Sequence, residues 1–382
     1  MVMSKILGII GGGQLGMMLV EAAKKMPDHI SKIIVLDPVE NCPASQVGAE
    51  QIIADFKDKN AIRELAKKSD IITYEIESGD SEVLKSVEKD AEINPSPETL
   101  KIIQDKFLQK SFLMQNKIPV PEFVQINSIM DLEKGLEKFG YPSLLKARRD
   151  AYDGRGNFKI TSQDQIQKAF DYFNEKKLML EKFVPFKMEV SVIVARNTKG
   201  QIKPFPLVEN IHEDNILRET IAPARISEKI TKKAEEIAKA TMNVLNGAGI
   251  FGVEMFVTEN DEILINEIAP RVHNSGHHTL QSSKTTQFEQ HLRAILGLEL
   301  GDTTLLHPTI MYNILGSKNF EGTYKPIELS EQNVFLKMYG KKISKPSRKL
   351  GHFNLVGNEG ESIEELLKKL ESLKNKVVII PT

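Results

Sequence analysis

The sequence predicts a mixed α/β and α+β fold in more than one domain, with a parallel-sheet domain first. Three observations carry this. Early in the chain, short apolar runs alternate with amphipathic segments, the pattern of a parallel sheet with helices on its faces. From about residue 123 the strand-like runs pair across turn residues, as antiparallel sheets require. The 382 residues are also more than one hydrophobic core ordinarily organises.

The elements follow in order. Residues 5–10 are expected as a strand, 14–25 as a helix, 32–37 as a strand, 61–67 as a helix and 71–74 as a strand. Asn94-Pro-Ser-Pro-Glu98 ends this unit, with Pro95 as breaker, Ser96 as N-cap and Pro97 in the first helical turn. A single helix is expected over 99–116, closed by Lys117-Ile-Pro-Val-Pro121. Helices over 130–139 and 162–174, with strands at 143–146 and 178–181, form a compact segment. An antiparallel pair at 188–196 and 203–208 precedes a helix over 229–245. Two apolar runs around Glu259-Asn-Asp-Glu262 read as a β-hairpin. A helix over 285–296 has the apolar stripe Phe288, Leu292, Ile295 and Leu296. From 301 onward a small mixed region ends in an amphipathic helix over 363–373. No internal repeat or low-complexity segment interrupts the pattern.

Composition excludes several classes. With 41% hydrophobic and 27% charged residues the chain is ordinary for a globular protein. Its net charge of -1 argues against a nucleic-acid partner, since no basic excess is available to neutralise phosphates. The single cysteine, Cys42, forms no intrachain disulfide and suits a reducing compartment. The longest apolar runs are strand-sized and the N-terminus has no signal pattern, so a cytoplasmic protein without membrane contact is expected.

The hairpin carries the strongest chemical signal. With its turn symmetric about Asn260 and Asp261, Glu254 and Glu267 oppose each other on one face, with Cβ atoms roughly 5 Å apart. Like charges placed so close call for a cation. Oxygen-only ligands, with Asn266 adding a neutral one, suit Mg²⁺, which takes one or two carboxylates together with substrate phosphates. The polar run that follows, Arg271, His273, Asn274 and Ser275, is more than a surface hairpin needs. A one-residue slip of register would send the two acids to opposite faces.

Two further stretches point to anions. Gly11-Gly-Gly-Gln-Leu-Gly16 follows a strand and opens a helix, and Asp37 ends the next strand, where a dinucleotide fold places its ribose-binding acid. The pattern admits an NAD enzyme, a site for any phosphorylated small molecule, or plain strand–helix packing. No Walker-type segment is present, so a bound nucleotide triphosphate needs another site. Lys146 ends a strand and leads into a loop with Tyr152, Asp153, Gly154, Arg155 and Gly156, whose glycines permit closure over a phosphate. Lys106 is positioned to reach the same anion. The strand ending at Glu181 offers linker backbone for a flat heterocycle, and Glu189 a carboxylate for ribose hydroxyls. His273 and His277 have zinc-like spacing, but Asn-Ser-Gly between them breaks helical periodicity and argues against zinc.

Together these residues resemble the ATP-grasp superfamily and, within it, the N5-carboxyaminoimidazole ribonucleotide synthetase family. The resemblance rests on Gly-Gly-Gly-Gln-Leu-Gly at 11–16, Tyr-Glu-Ile-Glu at 74–77, Pro-Ser-Pro-Glu-Thr at 95–99, Tyr-Asp-Gly-Arg-Gly at 152–156 and Glu-Lys-Phe-Val at 181–184. It continues in Asn-Glu-Ile-Ala-Pro-Arg-Val-His-Asn-Ser-Gly-His at 266–277, Gln-Phe-Glu-Gln-His-Leu-Arg at 287–293 and Arg-Lys-Leu-Gly-His at 348–352. It implies a biotin-carboxylase-like, Rossmann-like substrate-binding domain over 1–98, an ATP-grasp domain over 99–300 with a mobile lid at about 118–183, and a small C-terminal domain over 301–382. It implies an ATP- and bicarbonate-dependent carboxylation of aminoimidazole ribonucleotide through carboxyphosphate. ATP phosphates fall to Lys106, Lys146 and the lid residues Ala151, Tyr152, Asp153, Gly154, Arg155, Gly156 and Asn157. Adenine falls to Glu181, Lys182, Phe183 and Val184, ribose to Glu189, and His212 matches a nucleotide-site histidine. Asn266 and Glu267 close the ATP site, and Glu254 with Glu267 hold Mg²⁺ or Mn²⁺. Arg271, His273, Asn274, Tyr152 and Arg155 are the expected catalytic group. The ribonucleotide falls to Gly13, Gln14, Leu15, Glu77, Asp153 and Ser275, with Lys345, Arg348 and Lys349 at its phosphate. A homodimer is also implied. Parts of the wording are closer to fungal and plant forms fused to a mutase, so a separate mutase is the expected downstream partner of a chain ending at Thr382.

Competing readings are a formate-using ligase on another ribonucleotide, an NAD-dependent oxidoreductase built on residues 11–16, and a noncatalytic ribonucleotide-binding protein.

Overall fold

A computed structural model describes residues 4–149, 156–173 and 176–382. The N-terminal sheet is five-stranded and parallel, in the order Glu50–Ile52, Ile30–Leu36, Lys5–Ile10, Ile71–Tyr74, Glu92–Ile93. Its central strands, Lys5–Ile10 and Ile71–Tyr74, are almost wholly apolar because helices cover both faces. Gln14–Ala23 packs Met17, Met18, Leu19 and Val20 into one core, and Lys59–Lys68 packs Ile62 and Leu65 into the other. The chain reverses its direction of strand addition at Lys5–Ile10. A crevice therefore opens beyond the carboxyl ends of that strand and of Ile71–Tyr74.

The expected helix over 99–116 is two helices, Pro97–Ile103 and Lys106–Gln115. Asp105 interrupts it, its side chain accepting from the backbone N–H groups of Phe107 and Leu108 as an N-cap. The break restarts a helix at Lys106, whose first-turn N–H groups are taken up by Asp105 and the Arg148 carbonyl.

A four-stranded antiparallel sheet runs Phe123–Ile126, Leu178–Lys182, Ser143–Ala147, Asn157–Ile160. The larger sheet has the path Ile263–Ala269, Gly249–Thr258, Phe186–Arg196, Val208–Glu213, Ile216–Ala222, Thr309–Leu315, Lys349–Val356, Val334–Met338. The strand expected at 203–208 is divided: Ile202–Pro204 makes a short pairing, and a new strand begins at Val208. Pro204 and Pro206 offer no ladder donor, which accounts for the gap. The turn Asp214-Asn215, both residues at positive φ, closes a hairpin that the sequence reading passed over. Three strands after residue 301 continue this same sheet, since Glu219 pairs with Tyr312, while Gly322–Thr323 and Ile343–Ser344 pair separately. The last helix, Ile363–Lys374, is opened by a Ser362–Glu365 capping box and buries Leu366, Leu370 and Leu373 against it.

Candidate active site

The three sheets contribute to one cleft of about 1400 Å³. Its floor is the hairpin, where Glu254 and Glu267 are direct cross-strand partners. The pairing arises differently from the symmetric turn expected. Next to the turn, Val257 pairs with Ile263 and Met255 with Ile265, a register that would set Glu254 against Asn266. A bulge at Asn266 shifts the ladder by one residue and brings Glu267 opposite Glu254. All three side chains line the cleft. Lys106, at the start of its helix, is ion-paired to Glu267, and His273 Nε2 lies 3.1 Å from Glu254 Oε1. Burial tends to raise the Glu254 carboxyl, but His273, His212 and Lys106 outweigh it and hold the group at about 2. Burial depresses Lys106, yet Glu267, Glu77 and Glu254 leave it raised overall. Both groups are therefore charged at neutral pH. Among the described residues no three His, Cys, Asp or Glu side chains gather as an all-protein metal site.

Above the hairpin stands Lys146, hydrogen-bonded to Glu181 at 2.6 Å. The other Glu181 oxygen is 2.7 Å from Lys110, a residue the sequence reading passed over. Lys110 lies one helical turn beyond Lys106, on the same face of the helix. Burial works against the Glu181 charge, but the two ammonium groups hold it at about 2. The position of Lys146 relative to Lys106 is set by Arg148. Its guanidinium grips Asp105 through Nε and Nη2 at 2.9 and 2.7 Å, and its carbonyl accepts from the Lys106 N–H at 2.8 Å. One buried carboxylate thus caps the helix that starts at Lys106 and anchors the strand end after Lys146.

Beside the lysines, Phe183, Phe186, Phe256 and Leu144 form an apolar wall, with Phe186 and Phe256 stacked at 4.6 Å. Glu189 lies at its edge with His212 Nδ1 3.3 Å from its carboxylate. Burial lowers the His212 pKa, but Glu189 and then Glu254 raise it overall. The backbone of Glu181 is paired on both sides, so the free linker begins at Phe183. Lys182 turns its side chain to solvent and pairs with Glu122 at 2.7 Å, and Val184 stands half-buried off the cleft wall. Gly156 and Asn157 line the cleft. Ala151, Tyr152, Asp153, Gly154 and Arg155 lie outside the described residues.

The glycine-rich turn is already occupied by the protein's own acid. Glu75 accepts from the N–H groups of Gly13 at 2.5 Å and Gly16 at 2.9 Å, and Asp37 accepts from Gly12 at 2.8 Å. These are the donors a dinucleotide pyrophosphate would need. The glycines serve the approach of Glu75: a Cβ on Gly11, whose φ is +98°, would lie 2.5 Å from Glu75 Cγ. Burial raises the Glu75 carboxyl, with the Gly16 and Gly13 N–H groups opposing. Gln14 and Leu15, just beyond this plug, form one wall of the cleft.

Glu77 meets Arg271 Nη2 at 3.0 Å, linking the N-terminal sheet to the segment after the hairpin. Burial raises the Glu77 carboxyl, against the pull of Arg271. Asn274 lines the cleft and is fixed by Asn313, whereas Ser275 is fully buried and hydrogen-bonded to Ser191 rather than open to a ligand. Lys345, Arg348 and Lys349 also line the cleft. Lys345 pairs with Glu321 at 2.9 Å and Arg348 donates to the Ile343 carbonyl. Lys341, a second residue passed over, donates to Gln14 Oε1 at 2.8 Å and to the Lys349 carbonyl at 2.9 Å. Burial, with the nearby Arg348 charge, lowers it to about 8. His277 is buried with its Nδ1 3.1 Å from Gln287 Nε2.

Three domain families match along the chain: a ribonucleotide synthetase preATP-grasp domain over residues 3–104, an ATP-grasp domain over 111–288 and a phosphoribosylaminoimidazole carboxylase C-terminal domain over 309–366. The chain is 41% identical to the N5-carboxyaminoimidazole ribonucleotide synthase of Bacillus subtilis, over 95% of each protein. It belongs to the N5-carboxyaminoimidazole ribonucleotide synthetase family. The phosphoribosylaminoimidazole carboxylase of Ogataea methanolica is 42% identical over 98% of this chain and 70% of its own length. Two solved members of the family are close in structure. The Thermotoga maritima synthetase has a TM-score of 0.88 at 43% identity, covering 99% of this chain and 100% of its own. The Aspergillus clavatus synthase in complex with ADP and 5-aminoimidazole ribonucleotide has a TM-score of 0.90 at 37% identity, covering 99% of each. The family is thus an ATP-grasp ligase family, and the oxidoreductase reading fails on both the plugged glycine turn and this membership.

Proposed function

We propose that this cleft carries out the ATP- and bicarbonate-dependent carboxylation of 5-aminoimidazole ribonucleotide, a carbon–nitrogen bond-forming step of purine biosynthesis. The observation that carries this reading is the division of one cleft into two charged halves. Lys106, Lys146 and the opposed acids stand beside an aromatic wall, while Gln14, Glu77, Arg271, Lys341, Arg348 and Lys349 line the rest of the cleft. The first half suits a nucleotide triphosphate and the second an amine-bearing ribonucleotide phosphate.

In this account the γ-phosphoryl group of ATP passes to a bicarbonate oxygen, releasing ADP and forming carboxyphosphate. The exocyclic amine of the ribonucleotide then attacks the carboxyl carbon of carboxyphosphate, or CO₂ released from it, phosphate departs and the amine loses a proton. Lys106 and Lys146 neutralise the phosphoryl oxygens, which is most of what phosphoryl transfer asks of a protein. Arg271, His273 and Asn274 offer donors for the small planar anion. Phe183 holds adenine, and Glu189 with His212 the ribose. Arg348 and Lys349, with Lys345 at the rim, take the substrate phosphate. Tyr152, Asp153 and Arg155 belong to the lid in this reading.

Glu254, Glu267 and Asn266 fit a hard divalent cation, magnesium or manganese. Two opposed carboxylates and an amide oxygen are too few for an all-protein cage and enough for a site completed by phosphates. When bound, the ion would offset negative charge on the transferred phosphoryl group. The substrate-binding, ATP-grasp and C-terminal domains over 1–98, 99–300 and 301–382, a homodimer and a separate mutase acting on the product are part of the same proposal. ADP release that requires both aminoimidazole ribonucleotide and bicarbonate tests it. Release dependent on formate and glycinamide ribonucleotide would instead favour the formate-using ligase.

A further inference from the structure

Lys110 has no part in the chemistry above, yet it is a lysine with 2% exposure, buried against a carboxylate with 1%. It sits behind Glu181, on the side away from the cleft. Glu181 divides its two oxygens between two ammonium groups, Oε1 to Lys146 at 2.6 Å and Oε2 to Lys110 at 2.7 Å. Lys146 lines the cleft; Lys110 does not, and its other polar contact is the Ile265 carbonyl at 3.4 Å. The triad therefore holds one positive charge more than its carboxylate balances, and that surplus faces the cleft through Lys146.

We propose that Lys110 is a positioning residue whose task is to keep Glu181 paired, so that Lys146 is free to turn from Glu181 to the ATP phosphates. Stripping the cation from a buried carboxylate is strongly unfavourable. If Lys146 were the sole partner of Glu181, each nucleotide would have to overcome that pairing before gaining an ammonium. With Lys110 in place, the carboxylate keeps a partner when Lys146 moves. Lys106, one turn earlier on the same helix, cannot substitute, because it is engaged by Glu267. The inference rests on the reading that Lys146 meets ATP phosphate.

The test uses three variants of the full chain: Lys110→Met, Lys110→Met with Glu181→Gln, and Lys146→Met. Dissociation constants for ATP and for aminoimidazole ribonucleotide are measured by calorimetry, with thermal unfolding as a control. Lys110→Met is expected to weaken ATP by about tenfold or more and leave the ribonucleotide unchanged. Adding Glu181→Gln removes the carboxylate that traps Lys146, so the double variant should bind ATP more tightly than Lys110→Met alone. A double variant that binds no better, or a parallel loss of ribonucleotide affinity, overturns the proposal. If Lys110→Met does not fold, the double variant, with both buried charges gone, is compared with the parent protein. Similar ATP affinity supports the inference and a loss of about tenfold overturns it. Lys146→Met separates the two layers. Unchanged ATP affinity there refutes the phosphate role of Lys146 itself, and weakened affinity without rescue in the double variant refutes only the role of Lys110.

Discussion

Replacing Glu75 by Gln tests how far the internal plug, rather than a ligand, organises the glycine turn. Glu75 is 6% exposed and accepts two backbone N–H groups through separate oxygens, at 2.5 Å from Gly13 and 2.9 Å from Gly16. Glutamine keeps one acceptor and turns its NH₂ toward the other donor. A buried N–H left without a partner costs about 1–3 kcal/mol. Against this, the carboxylate is itself penalised by burial, as its raised pKa records, and glutamine relieves that penalty. The balance predicts a net loss of about 1–2 kcal/mol in urea unfolding, toward the lower end of that range. Gln14 and Leu15 follow Gly13 directly, so the displaced turn should raise KM for the ribonucleotide by about tenfold while KM for ATP stays unchanged. An equal rise in both constants, or lost stability with an unaltered ribonucleotide KM, would refute the link between plug and substrate wall.

Glu267→Gln removes the partner of Lys106 and one of the carboxylates proposed to hold the divalent cation, so turnover should fall by about a hundredfold or more in the ADP-release assay, with ribonucleotide binding retained. Arg271→Met should leave the Glu77 carboxyl without its cation and raise KM for bicarbonate more than KM for ATP. The Glu181 carboxyl is held at about 2 against an ordinary 4.5, so its contribution is complete above pH 4.5 and is lost as pH falls toward about 2. Glu181→Gln should therefore flatten the acid limb of a urea-stability profile between those pH values. An acid limb unchanged in that variant would contradict the ion-pair origin of the shift.

The acid pair on the hairpin was legible from the sequence, because two apolar runs around a polar turn leave few registers. The route to it was not. Asn266 forms a bulge, and bulges leave no periodicity signal; the symmetric-turn assumption reached the same pair by cancelling one residue of turn against one of bulge. The glycine turn misled for a related reason. Glycines report that something approaches the backbone closely, but Glu75 approaches from a strand 62 residues away from Gly13. Lys110 and Lys341 escaped notice since a lysine in a helix or a basic loop is ordinarily solvated; only tertiary packing buries the first between Glu181 and Ile265 and sets the second against Gln14. The split of the helix at Asp105 belongs to the same class. Local propensity favours continuity, and the bidentate contact with Arg148 overrides it.

The central claim is that one cleft couples ATP cleavage to carboxylation of an amine. A coupled ADP-release assay, run with and without aminoimidazole ribonucleotide and bicarbonate, tests it most directly. Fast release is expected only when both are present, with one phosphate formed per ADP. Release at the same rate without the ribonucleotide, or with formate in place of bicarbonate, would contradict it.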